Sequence, residues 1–339
     1  MKICLLSRFF DLRNAGIGRY SQELLKGLRK RGFEVRTVSQ DGGMPLGQGR
    51  GKYFVYTSFE IAFKTPSDCD IYHACAPMET LWLGGNKKTV VIFHDLIPML
   101  YLGLIPTHYV KDLFTRVISK NYFILGCKHA IKCNWIIVNN DQTAKELTKY
   151  FNVREEKIKL MRYGISPDLK PNAKSDDTYR IGTLGYFDPR KRLDLLIKAF
   201  KKANMKDAEL VIGGKGTDEQ RLKTLAGDDK RIKFLGFVPD EKLCDFYNSL
   251  DCFIFPSLLE GYGLPIVEAM ACSKPVVTLE DAIIPSDVKS RTHIVKLVDL
   301  SEVLKKREFK CDMDANLEFA REHSWEELVN KTVEIYESI

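Results

Sequence analysis

Long apolar runs are missing from this sequence. No stretch approaches the ~18 apolar residues that a helix needs to cross a bilayer. The opening MKICLLSRFF reaches Arg8 before a secretory core segment can form. A soluble or peripherally bound chain is therefore expected. Paired cysteines are missing too. The nine cysteines stand singly, no CxxC occurs, and the count is odd. That pattern suits an intracellular protein with reduced thiols and gives no zinc-ligand spacing. Internal repeats and low-complexity tracts are absent. Charge of one sign is only modestly in excess, at +7 with a pI near 8.8. Such a balance suits an anionic small ligand, a nucleic acid or an anionic membrane surface without choosing among them. No basic cluster belongs to a known nucleic-acid module, so nucleic acid is not an expected partner.

With 339 residues the chain exceeds a usual single core, and two domains are expected. Strand patterns at 2–7, 70–74, 88–94 and 135–140 alternate with helical ones, such as GRYSQELLKGLRKRG ending at Gly32. A breaker-rich stretch, YGISPDLKPNAKSDDTY (163–179), reads as a linker. The alternation then restarts with YRIGTLGYF, RLDLLIKAFKKA, AELVIGG, RIKFLGF, DCFIFPS and KPVVTL. The fold class is α/β: two doubly wound parallel-sheet domains, with ligands expected in a cleft at the strands' carboxyl ends.

Chemistry concentrates in FPSLLEGYGLPIVEAMACSKPVV, residues 255–277. An apolar strand is followed by a turn containing Gly261 and Gly263, then by a helix with Pro265 in its first turn. Free amides over Gly261, Tyr262, Gly263 and Leu264 suit phosphate. Glu268, one turn into the helix, suits the hydroxyls of a ribose; Glu260 precedes the turn. A solvated loop glutamate and a dipole-favoured helix glutamate are the plainer alternative. Arg190 and Lys191 start another helix, where cations oppose the dipole unless an anion joins them. Gly16 and Gly18, in RNAGIGRY, lie too far past the first strand for a dinucleotide fingerprint and read as a flexible glycine loop. His94 ends a strand in FHDL; it faces a ligand or is a core histidine bonded to backbone.

EGYGLPIVE resembles the glutamate–seven residues–glutamate motif of retaining family 4 glycosyltransferases, which have the GT-B fold. The likeness extends over RIKFLGFVPDEKLCDFYNSLDCFIFPSLLEGYGLPIVEAMACSKPVV and is strongest over 180–278. GIGRYSQELLKGLRKRGFEV, VVIFHDLIP and YGI at 163–165 are similar to shorter family segments. The resemblance implies a nucleotide-diphosphate sugar as donor, no cofactor, and a glycan, lipid-linked or other hydroxyl acceptor. It implies an acceptor domain over 1–168, a donor domain over 169–323, and a last helix over 324–339 packed back on the first domain. Lys191, with Arg190, would hold the diphosphate, Glu268 the ribose, and the backbone of Phe237 and Val238 the base. Glu260 and His94 would address the sugar, with Gly16 and Gly18 near the phosphates or acceptor. Many members carry an arginine where this chain has Tyr186. The loop after Thr278, LEDAIIPSDVKSRTH, also departs from the family's glycine-rich form. These departures keep an inactive binding homologue as an alternative; a GT-B nucleotide-sugar epimerase, which would use the same nucleotide site, is another. DCD (68–70) and DMD (312–314) look like the metal motif of the GT-A fold but lie in the wrong context, so catalysis is expected to need no divalent metal. A basic, aromatic stretch at 109–132 fits either a buried helix with a solvated face or a patch that docks on anionic lipid. A cytoplasmic location follows, with a peripheral place on the inner membrane face open.

Overall fold

Runs of Val, Ile, Leu and Phe that are apolar on both faces form the central strands, as parallel sheets covered by helices require. In the computed structural model, residues 1–10, 15–39, 56–100, 113–174 and 176–339 are described. Residues 13 and 14 of the glycine segment and 109–112 of the basic stretch lie outside them. Chain contacts divide the protein into two units, Met1–Gly164 with Ser324–Ile339, and Ile165–His323.

The first unit carries β1 (Lys2–Leu6), β2 (Glu34–Val38), β3 (Ile71–Ala74), β4 (Lys88–Phe93), β5 (Trp135–Val138) and β6 (Ile158–Leu160). All pair in parallel, in the order β2-β1-β3-β4-β5-β6. The order reverses between β1 and β3. The helix Ala15–Lys30 buries Tyr20, Leu24, Leu25 and Leu28 on one face and stops at Gly32, whose φ is 82°. The helix Trp325–Glu337 packs beside it, burying Leu328, Val329, Ile335 and Tyr336. Close approach dictates glycine at two positions there. A Cβ on Gly27 would lie 2.5 Å from Val329 Cγ2, and one on Gly164 would lie 2.2 Å from the Trp325 nitrogen.

The second unit carries β7 (Tyr179–Leu184), β8 (Ala208–Gly213), β9 (Ile232–Gly236), β10 (Cys252–Phe255), β11 (Val276–Leu279) and β12 (His293–Val295). They pair in parallel in the order β12-β11-β10-β7-β8-β9, reversing between β10 and β7. The helix Leu193–Ala203 turns Leu193, Leu196, Ile197 and Phe200 inward at helical spacing. β6 and β12 were not anticipated. Each is three residues long and sits at a sheet edge, too short for an apolar period to register.

One expectation is corrected. Gly16 and Gly18 are not in a loop; the helix begins at Ala15, so both occupy its first turn. Eight residues separate β1 from that helix, so a tight strand–turn–helix is absent, and both glycines lie beyond that connection, inside the helix.

Candidate active site

In an open parallel sheet, ligands collect outside the strands' carboxyl ends where the strand order reverses. In the second unit that point lies between β7 and β10. β7 leads through Gly185 and Asp188 to a 3-10 turn, Pro189–Lys191, capped by the Asp188 side chain, which accepts from the Arg190 amide at 2.8 Å. β10 leads through Ser257 to Glu260. The two loops are joined by backbone: the Leu258 amide donates to the Arg190 carbonyl at 2.8 Å.

Side chains complete the junction. Lys191 Nζ donates to Glu260 Oε1 at 2.5 Å, with both side chains nearly buried. The Ser257 hydroxyl donates to the same oxygen. Arg190 Nη1 lies 3.3 Å from it and also donates to the Leu259 carbonyl. Burial alone would raise the Glu260 carboxyl; the charges of Lys191 and Arg190 and the bonds from Lys191 and Ser257 outweigh it and hold the group below its ordinary value. Lys191 is lowered, because burial outweighs the pull of Glu260 and Arg190 adds repulsion. The ammonium lies over the Phe255 ring, 5.0 Å from its centroid, and against Gly185, where any Cβ would come within 3.9 Å of it. The site is thus a carboxylate ringed by two cations and a hydroxyl, at a switch point, in an apolar wall.

The glycine turn follows. Gly263 has φ 93°, a left-handed conformation that favours glycine, and precedes the helix Leu264–Ala271 with Pro265 in its first turn. Tyr262 points into the unit, where its hydroxyl pairs with His323 Nε2, so only its backbone can meet a ligand at the turn. Glu268 is buried and accepts from the Tyr247 hydroxyl at 2.8 Å. Phe237 and Val238 follow β9 after Gly236, whose φ of 71° turns the chain. Phe237 is half exposed and Val238 half-buried. The structure therefore brings Arg190, Lys191 and Glu260 into contact, and sets the 261–264 turn and the 237–238 turn at carboxyl ends of the same sheet.

His94 belongs to the first unit, at the end of β4. Its Nε2 donates to the Cys75 carbonyl at 2.7 Å, so Nδ1 accepts from the Tyr163 hydroxyl. Burial lowers its pKa to about 4. The ring is neutral at ordinary pH with both nitrogens engaged inside the unit, which suits positioning rather than proton transfer. Gly16 and Gly18 contribute first-turn amides of the Ala15–Lys30 helix.

Several residues were not singled out from the sequence. Ser257, Tyr247 and His323 bind the predicted site residues from 3 to 61 positions away. Ser257 lay within the quoted stretch; the other two had no local signal. Glu79 is another. It follows β3, is wholly buried, and its Oε1 accepts from the Arg8 amide at 2.6 Å, at the switch point of the first sheet. Oε2 has no partner among the described residues. Burial pushes the carboxyl up to about 8 against the backbone bonds it accepts. Also among the described residues, no three His, Cys, Asp or Glu side chains group as a metal site, and no helix is long and apolar enough to cross a membrane.

Comparison with known proteins agrees with this layout. The family described as Glycosyl transferases group 1 matches residues 166–293, and Glycosyltransferase Family 4 matches residues 14–169. O-antigen chain mannosyltransferase B of Escherichia coli is 25% identical over 276 residues, spanning 74% of this chain and 70% of that protein. The structure of sucrose-phosphate synthase from Thermosynechococcus elongatus matches with a TM-score of 0.77 at 18% identity, over 99% of this chain and 98% of that one. Anabaena HepE, solved with UDP and glucose, matches with a TM-score of 0.68 at 16% identity over the whole of both chains.

Proposed function

We propose that this chain, which belongs to the group 1 glycosyltransferases and has their GT-B fold, is a retaining hexosyltransferase. It moves a hexose from a GDP- or UDP-sugar to a glycan, lipid-linked or other hydroxyl acceptor without a divalent metal. The observation that carries this reading is the Lys191–Glu260–Arg190 junction at the switch point, beside a glycine turn that opens a helix. Support for the donor class comes from HepE, whose structure holds UDP and glucose. Support for a glycan acceptor comes from the O-antigen mannosyltransferase.

In this reading the diphosphate lies on the amides of 261–264, and Lys191 and Arg190 shift toward it. Two cations beside the leaving phosphate supply the charge stabilisation that a metal gives elsewhere. Glu260 holds Lys191 in place before the donor arrives and then meets the sugar. Glu268 takes the ribose hydroxyls, and the backbone at Phe237 and Val238 faces the base. β10, β7, β8 and β9 are successive neighbours, so their ends span about 15 Å, the scale of an extended nucleotide sugar. The acceptor oxygen attacks from the face the diphosphate leaves, and the departing phosphate takes its proton. The acceptor belongs to the first unit, with His94 and the Gly16–Gly18 turn.

The test is donor turnover with a panel of GDP- and UDP-hexoses in EDTA, following the released sugar by NMR. First release in the donor's own anomeric configuration, undiminished by EDTA, is expected. Release of the opposite anomer, or loss of turnover in EDTA restored by Mg²⁺, would overturn the reading.

A further inference from the structure

We propose that one side of the first unit docks on an anionic lipid surface. Three segments adjoin there. The turn of helix at Tyr56–Glu60 continues into Ile61–Lys64, the short 3-10 turn Pro77–Thr80 leads to Trp82, and the helix Leu113–Ala130 packs on that 3-10 turn. Buried Thr57 joins all three. Its hydroxyl pairs with the Tyr122 hydroxyl at 2.7 Å, and its carbonyl accepts from the Trp82 indole at 3.0 Å.

Thr57 and Ile61, four apart, face inward. Phe59 and Phe63, also four apart, therefore face outward, and they are 55% and 88% exposed. Trp82 is half exposed. On the adjoining helix Val117, Ile118 and Leu125 are half exposed, with Ile118 and Leu125 in register on one stripe. The solvent face of an ordinary surface helix is polar; here six large apolar side chains face water on adjoining segments. Scattered exposed apolar residues need no explanation, but a contiguous set marks an interaction surface.

Charge selects the partner. The helix Leu113–Ala130 contains Arg116, Lys120, Lys128 and no acidic residue. Neither Lys120 nor Lys128 pairs with an acid among the described residues, whereas Lys64 is matched by Glu60 at 3.0 Å. Exposed Trp and Phe beside unmatched lysines fit the boundary between headgroups and acyl chains, where rings insert and ammonium groups meet lipid phosphate. The Lys120 and Lys128 side chains, their stems apolar, reach that phosphate while the stripe stays in contact with lipid.

The test is cosedimentation of the full chain with phosphatidylcholine vesicles, pure or mixed with phosphatidylglycerol. This surface is built from residues of the first unit and the proposed donor site from residues of the second, so vesicle binding is read independently of the proposed reaction. Binding is expected to the mixed vesicles only and to weaken with salt. The pair Phe59→Ser/Phe63→Ser, at strongly exposed positions, should lower that affinity at least about tenfold. The pair Lys120→Glu/Lys128→Glu should do the same and remove the salt dependence. If the phenylalanine variant were to fold poorly, as read from its melting curve, the lysine variant would carry the test. Equal binding to both vesicle types would overturn the proposal. So would wild-type affinity in the folded variants, or a wild-type dimer that Phe59→Ser/Phe63→Ser dissociates with vesicle binding unchanged.

Discussion

Lys191 meets a carboxylate oxygen that also receives Ser257 and has Arg190 at 3.3 Å. A cation so placed is held ready in the free protein and matters most when a diphosphate departs. Lys191→Ala should lower turnover by about 10²–10³-fold, with weaker loss of nucleotide diphosphate affinity by calorimetry. Near wild-type turnover would remove Lys191 from the mechanism. Glu79 makes a different prediction. Its folded-state pKa of about 8 lies above the ordinary carboxyl value, so the neutral form is the one the fold favours. Its contribution is complete below about pH 4–5 and fades as pH rises through about 8. Relative to Glu79→Gln, which keeps the oxygen that accepts from Arg8, wild-type stability should fall steadily from about pH 5 to about pH 9. Melting curves that run parallel across that range would show that Glu79 does not titrate there.

At the scale of elements, what was legible depended on sequence distance. The Glu260–Glu268 stretch carries its strand end, glycine turn and helix start within a few residues, so local pattern and turn chemistry suffice. Lys191 was visible at a helix start, but not its partner 69 positions on. The His94–Tyr163 pair also spans 69 positions, and Glu79, in the short turn PMET, meets the Arg8 amide 71 positions away. Burial, which decides their chemistry, exists only once the sheet has assembled. Gly16 and Gly18 were misplaced because glycine in a polar run reads as a loop, whereas the helix starts ahead of them. This yields a contrast. A Cβ on Gly16 meets nothing within 4 Å, so Gly16→Ala should stabilise the protein by up to about 1 kcal/mol. Gly214, by contrast, has φ 125°, and its Cβ would lie 1.8 Å from the Gly185 carbonyl oxygen. Gly214→Ala should cost about 2–4 kcal/mol and displace the β7 end next to Lys191. Denaturant melts of the two variants check both signs.

For the whole molecule, the chain enters the second unit at Ile165 and leaves it at His323, whose carbonyl accepts from the Ile165 amide at 3.0 Å. The second unit is therefore closed on itself. The first is not: it needs the Trp325–Glu337 helix, which follows the other unit in sequence. Tyr336 is buried, and its hydroxyl pairs with His73 Nδ1 at 2.6 Å, while His73 Nε2 faces the Tyr20 hydroxyl at 3.2 Å. Burial, with a smaller push from His94, lowers His73 to about 3, so this centre is built around an uncharged imidazole. Removing the helix would open Gly27, Gly164, His73 and Tyr20 to water at once. Deleting residues 325–339 should therefore unfold the first unit and leave the second folded, a breakdown of two-state behaviour expected when domains are unequal. Limited proteolysis of the deletion variant should leave a resistant fragment beginning near Ile165. That fragment should still give a thermal shift with GDP or UDP, because binding to the native state alone raises its melting point. Loss of both units together would mean that the second depends on the first, despite the closure at Ile165 and His323.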